Sequence, residues 1–198
     1  MSEILAPCGA QESLSAAVNA GADAVYLGEE YFSARKNADN FTAEQLCEAV
    51  RFCHYSGVKV YVTLNTLVFD REIPMLAKAI ENCAKADVDG FIVQDMGVAR
   101  LARQIVPELP LHASTQMTVN SPEGAVMAKK LGFTRVVLGR ELSFEQIKAI
   151  IDSCDIETEL FVHGALCVCV SGQCYLSSVL GARSGNRGLC AQPCRLPF

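Results

Sequence analysis

Short apolar runs alternate with helical segments seven times along this chain. The runs occupy residues 4–6, 23–28, 58–64, 90–93, 111–114, 135–138 and 156–162. Between them, apolar residues recur at helical spacing, and Thr42 with Gln45 and Ser143 with Gln146 form the pattern of helix capping boxes. Such alternation is typical of a parallel sheet with right-handed crossovers. The sequence therefore predicts an α/β fold, a (β/α)8 TIM-like barrel that is incomplete here, with about seven βα units in residues 1–163.

The length of the chain bears on whether this barrel closes. Barrels of this class typically run to about 250 residues, whereas this chain has 198 and shows no eighth apolar run before Phe198. We therefore expect a protein partner or a further C-terminal segment to complete the barrel. Residues 164–198 are predicted to form a separate cysteine-rich loop that leaves the end of the seventh strand.

Composition excludes several classes of protein. No apolar run reaches the roughly 18 residues that a membrane span needs, and the N-terminus lacks the basic and apolar regions of a signal peptide. Ten cysteines without a secretion signal indicate reduced thiols and not a disulfide framework. The sequence therefore predicts a cytoplasmic protein without membrane contact.

Charge is distributed unevenly along the chain. The net charge is −5, yet residues 160–198 contain Arg183, Arg187 and Arg195 with neither lysine nor acid. A basic region on an acidic scaffold suits an anionic substrate at one local site. Three solvated arginines in a loop would fit the same distribution equally well.

Polar residues follow several of the predicted strands where each strand ends. Active sites in TIM-like barrels lie at the carboxyl ends of the strands, so we expect these side chains to share one face. They are Cys8, Asn65, Gln94, Asp95, Ser114, Gln116, Arg140, Glu141 and His163. The segment 29–41, which follows the second strand, has no periodicity and reads as a functional loop.

Four cysteines in the C-terminal loop have the spacing of a metal site. Cys167, Cys174, Cys190 and Cys194 are separated by six, fifteen and three residues, with four glycines between them. Thiolates select zinc or iron–sulfur clusters over hard cations. Cys169 is expected to point away from this group, Cys8 is left out of it, and Cys47, Cys53, Cys83 and Cys154 lie on apolar helix stripes that predict core packing.

Motifs spread over the whole chain resemble one family. They are Leu5-Ala6-Pro7, residues 21–26, Asn40-Phe41, residues 112–116, residues 139–142, residues 164–167 with Gly172, Cys174 and Ser177, residues 186–188, and residues 192–195. The sequence is similar to the U32 peptidase family, the collagenase-like proteases of unknown catalytic type.

The resemblance implies an activity that differs from the family name. Some family members hydroxylate a wobble uridine of transfer RNA or a cytidine of ribosomal RNA, require prephenate or a related metabolite, and carry a 4Fe-4S cluster on four cysteines. By resemblance, Cys167, Cys174 and Cys190 match cluster ligands. The fourth ligand is Cys194 or a residue beyond Phe198.

We therefore expect an iron–sulfur enzyme that hydroxylates a base in tRNA or rRNA with a prephenate-type cosubstrate. Its predicted catalytic residues are His163, Glu159 and Arg140. Its predicted substrate-binding residues are Asn65, Gln116, Arg183, Arg187 and Arg195.

Two alternatives remain open from the sequence. One is a peptidase that depends on His163 or Glu159, although neither a nucleophile elbow nor an HExxH motif is present, which favours a substrate-positioning role for the histidine. The other is a non-catalytic zinc-binding module that binds RNA or a protein partner.

Overall fold

A computed structural model describes residues 2–36 and 39–197 of the chain. One sheet of seven parallel strands follows the order of the sequence, so that each strand pairs with the next. The strands are β1 Leu5–Cys8, β2 Ala24–Gly28, β3 Lys59–Leu64, β4 Gly90–Val93, β5 Leu111–Ala113, β6 Arg135–Val137 and β7 Glu157–Glu159. The seven-strand TIM-like architecture predicted from the alternation is therefore confirmed.

Seven helices accompany these strands within the described part of the chain. They are α1 Gln11–Asn19, α2 Ala43–Tyr55, α3 Ile73–Lys85, α4 Met96–Ile105, α5 Pro122–Lys130, α6 Phe144–Ser153 and the short α7 Leu176–Gly181. The capping boxes are confirmed: the amide of Gln45 donates to Thr42 Oγ1 at 3.3 Å, and the amide of Gln146 donates to Ser143 Oγ at 3.3 Å. Each satisfies a helical N–H that would otherwise lack a partner.

The core lies on both faces of the sheet, as expected for a parallel sheet flanked by helices. All four residues of β4 are buried, and β3 is buried from Val60 to Leu64. Cys53 and Cys83 are fully buried, and the half-buried Cys47 and Cys154 pack against the same core. The prediction that these four cysteines belong to helix–sheet packing is confirmed.

The seventh strand is shorter than the sequence predicts. Pairing with β6 ends at Glu159, and the apolar residues Leu160, Phe161 and Val162 are exposed to 42%, 41% and 97%. Among the described residues, β7 has a strand neighbour only on its β6 side. The prediction of a strand through Val162 is therefore wrong. At such an edge, residues 160–162 have fewer backbone groups of a neighbouring strand to hydrogen-bond with.

A partly buried ion-pair cluster lies at the amino ends of the strands, with Arg135 10% and Glu157 65% exposed in their side chains. Arg135, which begins β6, donates to Glu3 at 2.8 Å and to Glu157 at 2.9 and 2.7 Å. The Tyr61 hydroxyl donates to Glu3 at 3.3 Å, and the Arg135 guanidinium lies 5.2 Å from the centre of the Tyr61 ring. Because Glu3 precedes β1, these contacts show that the sheet curls until its two ends share one guanidinium.

Residues 164–197 lie over the carboxyl ends of the strands. The carbonyl of the buried Asn186 accepts the amide of Leu67 at 3.2 Å and Nε2 of Gln94 at 3.1 Å. The cysteine-rich segment is thereby attached just beyond β3 and β4, on the face where barrel active sites form. In the described ranges, no helix has both the length and the apolar character needed to cross a bilayer.

Candidate active site at the carboxyl ends of the strands

A cavity of about 220 Å³ opens at the carboxyl ends of the strands. Its walls come from strand ends, from the loop between β2 and α2, and from the cysteine-rich segment at Ser171 and Gly172. Four of the predicted catalytic and substrate-binding residues line it together, namely Asn65, Gln116, Arg140 and Glu159, and the strand-end residues Cys8 and Ser114 line it as well. The sequence therefore located the cavity, because carboxyl ends of parallel strands meet at one edge.

Glu159 supplies a buried carboxyl group to this cavity. Its side chain is 16% exposed, and Oε2 lies 3.6 Å from Nη1 of Arg135, with no hydrogen-bond donor to that oxygen among the described residues. Burial raises the pKa of the Glu159 carboxyl, and the neighbouring Arg135 opposes that rise. Because burial makes this carboxyl hold its proton more tightly than an exposed one does, Glu159 is a candidate for proton transfer in the cavity.

Arg140 brings a positive charge to the same cavity. Its guanidinium lies 5.1 Å from the centre of the Phe161 ring, and Nη1 donates to the carbonyl of Ala165. Stacking on an aromatic face and donation to a backbone oxygen leave other N–H groups available for an anion.

Asn65 and Gln116 each place a side-chain amide at the cavity, and the two differ in whether their oxygen accepts a hydrogen bond within the fold. Asn65 Oδ1 accepts the amide of Ala34 at 2.8 Å, so Asn65 also holds the β2–α2 loop. Gln116 Oε1 is buried and accepts no hydrogen bond among the described residues. A buried amide oxygen without a donor costs free energy, so Gln116 is suited to accept a donor from a bound molecule.

The other predicted catalytic and substrate-binding residues lie outside this cavity's wall. Arg187 forms a bidentate pair with Glu72 at 2.9 and 2.6 Å, stacks 4.4 Å from the Phe69 ring centre, and lowers the pKa of the Glu72 carboxyl. Nη2 of Arg195 donates to the carbonyl of Leu166 at 3.2 Å. Their substrate-binding roles stay predictions, and for Arg187 the fold supplies a different partner.

Arg183 and His163 also lie away from the cavity wall, and both are exposed. The His163 imidazole has no hydrogen bond or ion pair within residues 2–36 and 39–197. Its predicted catalytic role stays a prediction, as does the predicted substrate contact of Arg183.

The sulfur atoms of two predicted metal ligands accept backbone hydrogen bonds. The amide of Leu176 donates to Cys174 Sγ at 3.3 Å, and the amide of Gln192 donates to Cys190 Sγ at 3.4 Å. The Ser177 hydroxyl lies 3.9 Å from Cys190 Sγ. Donors of this kind surround cluster-bound thiolates and influence their reduction potential, so the local backbone fits thiolate ligation.

Cys169 is hydrogen-bonded within its own segment. Its thiol donates to the carbonyl of Gln173 at 3.0 Å. Burial raises the pKa of the thiol, and the thiols of Cys174 and Cys167 add to that rise. The expectation that Cys169 points away from the metal group stays a prediction.

The predicted metal centre is not assembled in the described residues. Nowhere in residues 2–36 and 39–197 do three or more Cys, His, Asp or Glu side chains take an arrangement that could hold a metal ion. Cys190 and Cys194 are exposed, and Cys167 and Cys174 are half-buried, all as free thiols. The four soft donors fit an iron–sulfur cluster or zinc by their chemistry, and their joint ligation stays a prediction.

Sequence reasoning missed the contribution of Arg35 and Tyr26 to the site. Both line the cavity, and Nη2 of Arg35 donates to the Tyr26 hydroxyl at 3.2 Å. The sequence predicts residues 29–41 to form a functional loop, and an arginine in a non-periodic loop after a strand end is the available signal. Residues 37 and 38 of that loop lie outside the described ranges.

The family described as Peptidase family U32 matches residues 9–198. A 23S rRNA 5-hydroxycytidine synthase of Escherichia coli is 44% identical over 196 residues, which cover 99% of this chain and 29% of that protein. The tRNA hydroxylation protein P1 of Bacillus subtilis is 40% identical over 196 residues, covering 99% of this chain and 46% of that protein.

Among solved structures, that of the U32 peptidase Mk0906 superposes with a TM-score of 0.68 at 18% identity. The match covers 81% of this chain and 68% of that one. At that identity the likeness concerns the fold alone. The chain spans less than half the length of the two curated relatives above.

Proposed function

Because this chain belongs to peptidase family U32, we propose that it acts in hydroxylation of a base in transfer or ribosomal RNA, with a prephenate-type metabolite as cosubstrate. The observation that supports this most is the cavity itself. A buried carboxyl, Glu159, and an arginine, Arg140, share one small space directly beneath the cysteine-rich segment. The names of the two RNA-modifying relatives support the same reaction class.

Within this proposal, Cys167, Cys174 and Cys190, with Cys194 as the fourth candidate, hold a 4Fe-4S cluster. When bound, the cluster supplies one-electron chemistry. The backbone donors to Cys174 and Cys190 stabilise the thiolate form of both ligands.

The chain's own residues perform three tasks in this proposal. Arg140 binds a carboxylate through its guanidinium, and Gln116 accepts a hydrogen bond through its unpaired Oε1. Glu159 takes up or releases a proton at Oε2. The cavity has room for one small molecule or one unstacked base, as base-modifying enzymes require.

Two observations favour this proposal over the peptidase alternative. Cys8, the cysteine in the cavity wall, is buried, and burial raises the pKa of its thiol to about 11. A thiol of that pKa is protonated at neutral pH and is a poor nucleophile. The exposed His163 does not line the cavity where it would have to activate a nucleophile.

RNA mass spectrometry on a strain that lacks the gene tests the reaction. The hydroxylated base should disappear and return when the wild-type gene is restored, whereas Glu159→Gln should restore at most about 1% of it. Glu108→Gln, at an exposed acid before β5, is the matched control and should restore it fully. Unchanged RNA in the deletion strain contradicts the proposal.

Anaerobic purification tests the cofactor separately. The wild-type protein should contain iron and sulfide, and Cys174→Ser should lose both, while Cys47→Ser on helix α2 keeps them. Zinc in place of iron would support the zinc-module alternative.

A further inference from the structure

Two arginines rest on aromatic rings inside the cavity described above. The Arg35 guanidinium lies 5.7 Å from the centre of the Tyr26 ring, and the Arg140 guanidinium lies 5.1 Å from the centre of the Phe161 ring. All four side chains line the cavity. Stacking on a ring fixes the plane of a guanidinium while leaving its edge N–H groups free to donate.

Neither of these arginines is neutralised by an acid. Over the described ranges, Arg35 donates to the Tyr26 hydroxyl and Arg140 to the carbonyl of Ala165, and neither forms an ion pair. Arg135 and Arg187, in contrast, are each held by carboxylates. The cavity wall therefore carries two guanidinium groups that form no ion pair among the described residues, beside the carboxyl group of Glu159.

The Tyr26 hydroxyl lies within the electrostatic reach of both arginines. Burial raises the pKa of this hydroxyl, Arg35 and Arg140 act to lower it, and Glu159 acts to raise it further. Because Arg35, Arg140 and Glu159 all affect the pKa of this one hydroxyl and all line the cavity, their charges surround a common space. A ligand in that space would meet positive charge from two elements, the β2–α2 loop and the end of β6.

Two hydrogen bonds hold the backbone that leads into Arg35. Asn65 Oδ1 accepts the amide of Ala34 at 2.8 Å, and Ser33 Oγ accepts the amide of Arg35 at 3.2 Å. Ser33 Oγ also accepts the hydroxyl of the buried Thr63, in β3, at 3.2 Å. A charge held by such contacts before binding loses little conformational freedom on binding.

We propose that Arg35 and Arg140 together bind a small organic dianion with two carboxylates, and that Arg35 is the residue that selects dicarboxylates over monocarboxylates. Each guanidinium takes one carboxylate, and the Tyr26 hydroxyl donates to the ligand between them. The inference rests on the proposed function in that this dianion is the cosubstrate of the reaction, and it assigns the specificity to a loop residue.

Isothermal titration calorimetry on the full chain tests the assignment with two probes. Prephenate carries two carboxylates, and phenylpyruvate carries one. The wild-type chain should bind prephenate more tightly, and Arg35→Gln should weaken prephenate binding about 10- to 100-fold while changing phenylpyruvate binding less than about threefold. Arg35→Lys should recover only part of the loss, because a lysine cannot form the bidentate contact.

Arg51→Gln, at an exposed arginine on helix α2, is the matched control and should bind both probes as the wild type does. Thermal unfolding midpoints compare the folding of all variants, and Arg35→Lys carries the test if Arg35→Gln unfolds. Wild-type prephenate affinity in the arginine-35 variants, or no saturable prephenate binding to the wild-type chain, would overturn the inference.

The experiments distinguish a failure of the Arg35 inference from a failure of the proposed RNA hydroxylation. If prephenate binding depends on Arg35 but deletion of the gene leaves the RNA unchanged, the dianion site is supported and the RNA reaction is contradicted. If Arg35→Gln leaves both RNA hydroxylation and prephenate affinity unchanged, the proposed reaction stands, and binding of the dianion by Arg35 is contradicted.

Discussion

Gly188 of the cysteine-rich segment packs directly against the backbone of Ser33 in the β2–α2 loop. A Cβ atom at position 188 would lie 2.6 Å from the Ser33 carbonyl oxygen and 3.0 Å from Cβ of Lys36, and the glycine has a φ of +77°. This contact joins the segment that carries the thiols to the loop that carries Arg35. The two halves of the site are therefore joined by a close contact at the backbone of Gly188.

Gly188→Ala should disturb both halves. The methyl group meets backbone, and the left-handed conformation strains an alanine, so we expect a loss of about 1–3 kcal/mol in the free energy of unfolding together with weaker prephenate binding. Urea denaturation and calorimetry measure the two effects. Gly181→Ala is the control, because no atom lies within 4 Å of its added Cβ, and it should change neither.

Glu159 should make stability depend on pH in a defined direction. Burial raises the pKa of its carboxyl in the folded state, so the native protein binds more protons than the unfolded chain between the two pKa values. The free energy of unfolding contributed by this group therefore falls as pH rises through that window. Glu159→Gln should be more stable than the wild type at pH 7, by about 0.5–2 kcal/mol, and no more stable below the unfolded pKa.

Urea denaturation at several pH values checks this prediction, with Glu108→Gln as the exposed control. Loss of stability in Glu159→Gln at every pH would show that the contact with Arg135 outweighs the cost of burying the charge.

His112 should give the opposite slope. Burial, and then the nearby Arg135, lower the pKa of its imidazole to about 3, and its Nδ1 is buried without a hydrogen-bond partner among the described residues. The unfolded chain, with a histidine pKa near 6.5, binds more protons between pH 6.5 and about 3, so stability falls as pH is lowered through that range. The slope from this residue should approach about 1.4 kcal/mol per pH unit.

His112→Phe should remove that slope while keeping an edge-on contact with Tyr61, whose ring centre lies 4.6 Å from that of the imidazole. The difference between variant and wild-type unfolding curves isolates the residue from carboxylates that titrate in the same range. The exposed His163→Phe serves as the control, and an equal loss of slope there would contradict the assignment.

The fold could be predicted because its signals are local. Alternating apolar periods marked the strands and helices, and the Thr42 and Ser143 capping boxes marked two helix starts. Strand ends then placed Asn65, Gln116 and Arg140 in one cavity. The extent of β7 was overestimated because composition does not show which strand lies at an edge.

The partners of loop arginines could not be predicted in the same way. Arg187 meets Glu72, which is 115 positions earlier in the chain, and no periodicity encodes such a contact. Arg35 belongs to the site because its loop is held by Ser33 and Asn65, which is a property of tertiary packing. Loops could be recognised from sequence, whereas the choice of which arginine faces the cavity required coordinates.

Arg135 should be the most sensitive position in the interior. It is 8% exposed and joins Glu3, Glu157 and Glu159, so Arg135→Met would leave several carboxylates near one another without their shared cation. Removal of one partner from a buried ion pair typically costs about 3–5 kcal/mol. Urea denaturation should show a loss of this size, and Arg100→Gln at an exposed site on helix α4 should show none.

Arg187 should act on stability and not on ligand binding. Its bidentate pair with Glu72 and its contact with the carbonyl of Leu67 at 2.6 Å attach the cysteine-rich segment to the residues that follow β3. Arg187→Gln should lower the free energy of unfolding by about 1–3 kcal/mol. A double-mutant cycle with Glu72→Gln should show a stabilising coupling energy between Arg187 and Glu72. Arg183→Gln, at an exposed arginine of the same segment, should leave the free energy of unfolding unchanged. Retained stability with a loss of prephenate affinity in Arg187→Gln would instead support the substrate-binding role predicted from the sequence.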